Sequence, residues 1–192
     1  KYEGREVFGL EDNLFVIIGV GRLNPIKKFD LLLEAFAKVH HVQSESILII
    51  AGDGEEKDRL IHLAKKLGVE KSVRFLGNIA DVTKLYCAAD VLAVTSDTES
   101  SSLVAIEAQV CGTRCVLSAG VPEESVLLKN TQRMSKSATV NDWRDALMND
   151  SYEGTPAARI EDYEVHNMSK KMKEIYLKYY SDYMEKNHAD TK

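Results

Sequence analysis

Short aliphatic runs alternate with longer segments whose apolar side chains recur every three or four positions. Residues 14–20 (LFVIIGV) and 47–51 (ILIIA) read as strands, and residues 73–76, 91–95 and 114–117 continue the series. None of these runs alternates polar with apolar, which is the pattern of a strand covered on both faces. Between them lie helical periodicities. Leu32, Leu33, Phe36 and Val39 share one face of residues 30–39, and Leu60, Leu63, Ala64 and Leu67 share one face of residues 55–67, after the turn Gly52-Asp53-Gly54. Residues 80–88 and 102–110 complete the alternation. Strand–helix repetition forces parallel pairing through crossovers, so the expected fold is α/β, a Rossmann-like doubly wound parallel sheet flanked by helices.

The last quarter of the chain departs from that rhythm. Tail helices are expected over about residues 141–187, with Trp143 and Leu147 on one segment and a break at Gly154-Thr155-Pro156. The final amphipathic helix spans residues 167–186, where Met168, Met172, Ile175, Tyr179 and Tyr183 form one stripe widened by Tyr176 and Tyr180. A membrane-surface helix sets Leu, Phe or Trp opposite Lys and Arg. A tyrosine-rich stripe instead suits a protein contact with one wet edge.

The length of 192 residues fits one domain, residues 1–192, with a substantial core. The net charge of −5 argues against a nucleic-acid partner. No apolar run approaches the roughly 20 residues of a transmembrane span, and no leader for secretion is evident. Cys87, Cys111 and Cys115 are odd in number and lie in apolar segments, which suits small hydrophobes in a reducing compartment better than disulfides or a zinc site. The five histidines have no partner at the spacing of a catalytic triad, so a surface role is expected for each.

Chemistry concentrates where strands end. Gly19-Val20-Gly21 closes the first strand, but the dinucleotide fingerprint needs a third glycine where Asn24 stands, so NAD and FAD are disfavoured. Arg22 offers a planar fork and Lys27 a point charge, and together they suit a diphosphate. After the fourth strand comes Glu99, then Ser100-Ser101-Ser102, then a helix bearing Glu107. Serines are good N-caps, and the first amides of a helix form a ready anion site. Carboxylates accept from hydroxyls and repel phosphate, and Glu107 lies roughly 6–8 Å along the helix axis from its start. A sugar at each end with phosphates between, a nucleotide sugar, fits that spacing.

The segments GRLNPIKKFDLLLEAF, AGDGEEKDRL and VRFLGNIADVTKLYCAADVLAVTSDTESSSLVAIEAQVCGTRCVLSAGVPEE resemble the C-terminal half of a retaining glycosyltransferase of family 4, of the bacterial exopolysaccharide, capsule and lipopolysaccharide type. The resemblance runs from about Phe15 to Glu124. It implies one half of a GT-B fold, the donor-binding half, with the acceptor domain on a missing N-terminal part that carries the principal catalytic residues. It also implies that Arg22 and Lys27 neutralise the donor diphosphate beside Gly21, that Glu99 contacts the moving sugar, and that Glu107 holds the ribose. Backbone amides at Leu103 and Val104, next to Ser102, would approach the phosphates, and Gly77 and Asn78 would lie beside the base. The donor would be a UDP-, GDP- or ADP-sugar. No cofactor or metal is implied, since the cations supply the charge and no Asp-x-Asp is present. The full protein would be a cytoplasmic hexosyltransferase acting on a glycan or lipid-linked acceptor, compatible with peripheral attachment at the inner face of the cytoplasmic membrane. This isolated domain would be inactive.

Two departures stand out. The family commonly has Gly-Phe-Gly where this chain has Ser100-Ser101-Ser102, and a glycine where it has Lys28. Two other readings therefore stay open. One is a non-catalytic relative that binds a nucleotide sugar or a protein. The weaker one is an NAD-dependent oxidoreductase domain.

Overall fold

Among the described residues six strands pair in parallel throughout, in the order β3-β2-β1-β4-β5-β6. They are β1 (Phe15–Val20), β2 (Ser46–Ala51), β3 (Val73–Gly77), β4 (Val91–Val94), β5 (Arg114–Leu117) and β6 (Gln132–Arg133). The helices are α1 (Tyr2–Val7), α2 (Phe29–Val42), α3 (Lys57–Lys66), α4 (Thr83–Ala88), α5 (Leu103–Val110) and α6 (Val140–Met148). This computed structural model describes residues 2–128 and 130–149, all within the unit Lys1–Gly154. The expected helix at residues 167–186 lies outside the described residues.

The doubly wound sheet expected from the hydrophobic pattern is present, with strand ends moved by one residue at most. Along β1 and β2 successive side chains enter opposite layers. Ile17, Leu48 and Ile50 pack with Leu32, Leu33 and Phe36 of α2, Leu60 of α3 and Trp143 of α6. Val16, Ile18, Ile47 and Ile49 pack with Leu85 and Tyr86 of α4 and Ala105 and Ala108 of α5. Both faces are covered, which is why the strands read as unbroken apolar runs. β6 has only two residues and no apolar run of its own, so periodicity does not reveal it. At the other end of the fold, α6 opens on a capping box in which Thr139 and Asp142 satisfy each other's amides.

Two local features differ from the sequence expectation. Residues 1–13 read as a polar lead-in, yet Arg5 on α1 is buried. Its guanidinium donates to the carbonyls of Glu11 and Asp12 at 2.8 Å and to Asp90 Oδ2 at 2.8 Å, and that same carboxylate oxygen accepts from the amide of Val16 at 2.7 Å. An ion pair this well hydrogen-bonded docks α1 against the start of β1 and the end of α4. The second feature is Lys28. Lys27 ends a separate 3-10 turn (Pro25–Lys27), and Lys28 lies between that turn and α2 at φ 53, ψ 41. This left-handed conformation costs a non-glycine residue about 1–2 kcal/mol, and it explains why the related family favours glycine there. Lys28→Gly is therefore expected to raise unfolding stability by about 0.5–1 kcal/mol, once the greater freedom of glycine in the unfolded chain is subtracted. Urea denaturation, read as a higher midpoint at unchanged slope, checks this.

Candidate functional site

Strand order reverses between β1 and β4, and in open α/β sheets ligands bind beyond the carboxyl ends of the strands at such a reversal. Here the β1–β4 ladder ends at Ile18 opposite Leu92, two residues short of the end of each strand. The loops that leave the strands at this edge are laced together. Gly21 N donates to Ala51 O, Gly52 N to Gly77 O, and Leu23 N to Asp53 O, at 2.8–3.0 Å. Lacing this close demands glycine at position 52, where φ is 136° and a Cβ would lie 1.9 Å from the Gly21 carbonyl oxygen. Between these loops and the start of α4 opens a cleft of about 490 Å³, lined by Gly21, Arg22, Gly52, Asp53, Asn78 and Val82 among others.

Lys27 and Glu99, 72 residues apart in sequence, meet on the β4 side of this edge. Lys27 Nζ donates to Glu99 Oε1 at 2.6 Å, and the Ser96 hydroxyl donates to the same oxygen at 2.7 Å. Side-chain exposure is 23% for Lys27 and 12% for Glu99, so the pair is partly withdrawn from solvent while open on one side. The ammonium lies over Gly21, within 3.9 Å of where a Cβ would stand. Backbone contacts fix the pair. Thr95 Oγ1 donates to the carbonyls of Lys27 and Lys28, Asp97 N donates to Ile26 O, and Glu99 N donates to Gly120 O.

Arg22 is placed differently. At 73% exposure it reaches Glu55 at 3.4 Å, and no contact joins it to Lys27 or Glu99. Arg22 is nonetheless among the residues that line the cleft. Surface pairs of this kind contribute at most about 1 kcal/mol, so Arg22 is readily recruited by an anion.

The helix after Glu99 starts as expected but is not capped as expected. Ser102 occupies the N-cap position of α5 with ψ 81, and its hydroxyl makes no capping bond. That hydroxyl is buried and has no partner among the described residues, while the Ser102 amide donates to Ser125 Oγ at 3.3 Å. The amides of Leu103 and Val104, at the open first turn, have no acceptor among the described residues. Glu107, one turn on, accepts from the Tyr86 hydroxyl at Oε2, 2.9 Å. Sequence reasoning passed over Tyr86. It reads there as one more apolar position of the helix after Asn78, and nothing in the spacing singles out its hydroxyl.

Electrostatically the site is mixed. Asp53 in the cleft wall is held below the usual carboxylate range by the Lys57 ammonium and the Gly54 amide. Burial, reinforced by Cys87, pushes the Cys111 thiol up to about 12, and burial raises Cys115 further, so both remain neutral thiols. Only Cys115 is fully buried; Cys87 and Cys111 are half-buried, a more open placement than the apolar surroundings suggest. Among the described residues no group of three or more His, Cys, Asp and Glu side chains could hold a metal ion. No described helix is long and apolar enough to cross a membrane.

The cation and carboxylate at the ends of β1 and β4, with the open helix start beside them, have the chemistry to hold a polyhydroxylated anion. The comparisons with known proteins bear on which one. The family model described as glycosyl transferases group 1 matches residues 1–148. The chain belongs to this family. D-inositol 3-phosphate glycosyltransferase of Mycolicibacterium smegmatis is 36% identical over 151 residues, which cover 74% of this chain and 34% of that protein. Anabaena HepE, solved in complex with UDP and glucose, superposes with a TM-score of 0.67 at 27% identity over 76% of this chain and 40% of its own. The C-terminal domain of the group 1 protein LpcC from Francisella tularensis has the same fold, with a TM-score of 0.65 at 20% identity over 76% of this chain and 78% of that domain. The described residues thus have the Rossmann-like α/β fold of GT-B glycosyltransferases, and the chain spans about a third of the length of the curated relative.

Proposed function

We propose that this chain is the donor-binding half of a retaining hexosyltransferase, which takes a sugar from a UDP-, GDP- or ADP-sugar and passes it to a glycan or lipid-linked acceptor held by a separate N-terminal domain. The observation that carries the proposal is the convergence of Lys27 and Glu99 at the strand-order reversal, near a cleft lined by Gly21 and Arg22. In this proposal the base and ribose occupy the cleft along Gly77 and Asn78, with Glu107 accepting from ribose hydroxyls. The diphosphate lies toward Gly21, Arg22, Lys27 and the amides of Leu103 and Val104. Charge developing on the leaving diphosphate is met by these cations and dipoles, so no metal is needed for it. Glu99 receives the donor sugar.

The Lys27–Glu99 ion pair gives the binding step a cost and a logic. An incoming phosphate competes with Glu99 for the ammonium, and a sugar hydroxyl offers Glu99 a donor in exchange. Ser100-Ser101-Ser102 in place of glycines leaves the amides of Leu103 and Val104 without an acceptor among the described residues. In the same proposal the full protein works in the cytoplasm on bacterial surface polysaccharides, with peripheral attachment to the inner face of the membrane, and the isolated half does not turn over.

A thermal-shift panel of UDP, GDP, ADP, CMP and NAD tests this. One nucleoside diphosphate at about 100 times its Kd is expected to add about 2.7 kcal/mol of stability, with no response to NAD. Silence from every nucleotide would favour a protein-binding relative, and a response to NAD alone would favour an oxidoreductase domain.

A further inference from the structure

We infer that Tyr86 is a positioning residue for Glu107, and that their hydrogen bond sets a preference of the cleft for ribose over deoxyribose. The inference rests on the proposed placement of Glu107 at the ribose. Tyr86 is 2% exposed, with its ring in the layer between the sheet and helices α4 and α5. Its backbone is held on both sides. The amide donates to Val82 O at 3.0 Å, one turn from a residue that lines the cleft, and the carbonyl accepts from Thr113 Oγ1 at 2.8 Å. A phenol mounted this rigidly presents its hydroxyl at one point, and at that point lies Glu107 Oε2.

Burial and the neighbouring Glu107 carboxylate hold the phenol well above its ordinary ionisation range, so it keeps its proton. The bond therefore runs one way, from Tyr86 to Glu107. Glu107 Oε1 has no partner among the described residues. Tyr86 holds one oxygen, and the proposed placement leaves the other for the ribose hydroxyls. Glutamate loses substantial rotamer freedom when it is fixed. Tyr86 imposes that ordering before the ligand arrives, so a ribose diol meets an acceptor already in place. A ligand without the 2′-hydroxyl gains less from the arrangement.

The test measures Kd for UDP, GDP and ADP and for their 2′-deoxy counterparts on the 192-residue chain, in wild type, Tyr86→Phe and Glu107→Ala. Phenylalanine keeps the buried ring and removes only the donor. The wild type is expected to favour the ribonucleotide. Tyr86→Phe is expected to weaken it about three- to tenfold while leaving the deoxynucleotide within about twofold. Because the readout is a ratio within one variant, partial unfolding scales both ligands alike. Equal weakening of both ligands, or none, in Tyr86→Phe while Glu107→Ala abolishes the preference would make Tyr86 a packing residue and overturn the inference alone. A preference that survives Glu107→Ala would remove Glu107 from the ribose and overturn the proposed site with it. A wild type that binds both sugars equally would likewise contradict the inference.

Discussion

Gly52→Ala is expected to cost at least about 3 kcal/mol of unfolding stability and to abolish nucleotide binding together with it. The added Cβ would lie 1.9 Å from the carbonyl oxygen of Gly21, a backbone atom that no side-chain rotation can clear. The φ of 136° adds strain of its own, of order 1–3 kcal/mol for a side-chain-bearing residue. Relief would require the loops after β1 and β2 to part, breaking the bonds from Gly21 N to Ala51 O and from Gly52 N to Gly77 O that floor the cleft. Gly68 supplies the control. Its φ is 72°, but nothing lies within 4 Å of its Cβ position, so Gly68→Ala carries the conformational penalty without the collision. Urea denaturation of both variants should show a loss of about 1 kcal/mol for Gly68→Ala and at least three times that for Gly52→Ala. Equal losses would mean that the loops separate easily and that the cleft floor is soft.

Lys27→Ala is expected to weaken nucleoside diphosphate binding by about one to two decades, the equivalent of a charged hydrogen bond of about 1.5–3 kcal/mol. Arg22→Ala should act in the same direction but less, because Arg22 is largely exposed and its interaction with the anion is screened. The variant protein should fold, since Glu99 retains the Ser96 hydroxyl as a donor. The ordering Lys27 above Arg22 follows from burial. A deficit in Arg22→Ala larger than in Lys27→Ala would place the diphosphate toward the outer rim of the cleft, away from α5.

The fold was legible because the chain's two periodicities are unambiguous. Unalternating runs such as LFVIIGV and ILIIA require cover on both faces, and the helices between them supply it. What escaped was what periodicity does not encode. β6 is too short to have a period. Arg5 sits in a stretch that looks like solvated lead-in, and its burial depends on carbonyls and a carboxylate brought together by α1, α4 and β1. The site was legible in its parts and not in its contacts. Arg22 and Lys27 follow β1 and Glu99 follows β4, where strand ends had placed them, while Glu107 lies within α5. That Lys27 rests on Glu99 while Arg22 turns to Glu55 depends on loop paths after β1 and β2, which local sequence does not specify. The serines show a limit of propensity. Thr139, at ψ 168, completes a capping box, whereas Ser102, at ψ 81, holds the N-cap position without capping. Lys28 shows the reverse. The resemblance marked it as a departure from glycine, and its left-handed backbone supplies the reason.

Calorimetric titration of the 192-residue chain with UDP, GDP and ADP, wild type beside Lys27→Ala, tests the central claim most directly. One of the three should bind the wild type with one-to-one stoichiometry, and its Kd should rise by about ten- to a hundredfold in the variant. No binding by any of them, or an affinity that Lys27→Ala leaves unchanged, would contradict the assignment of this strand-end cleft as a nucleotide-sugar site.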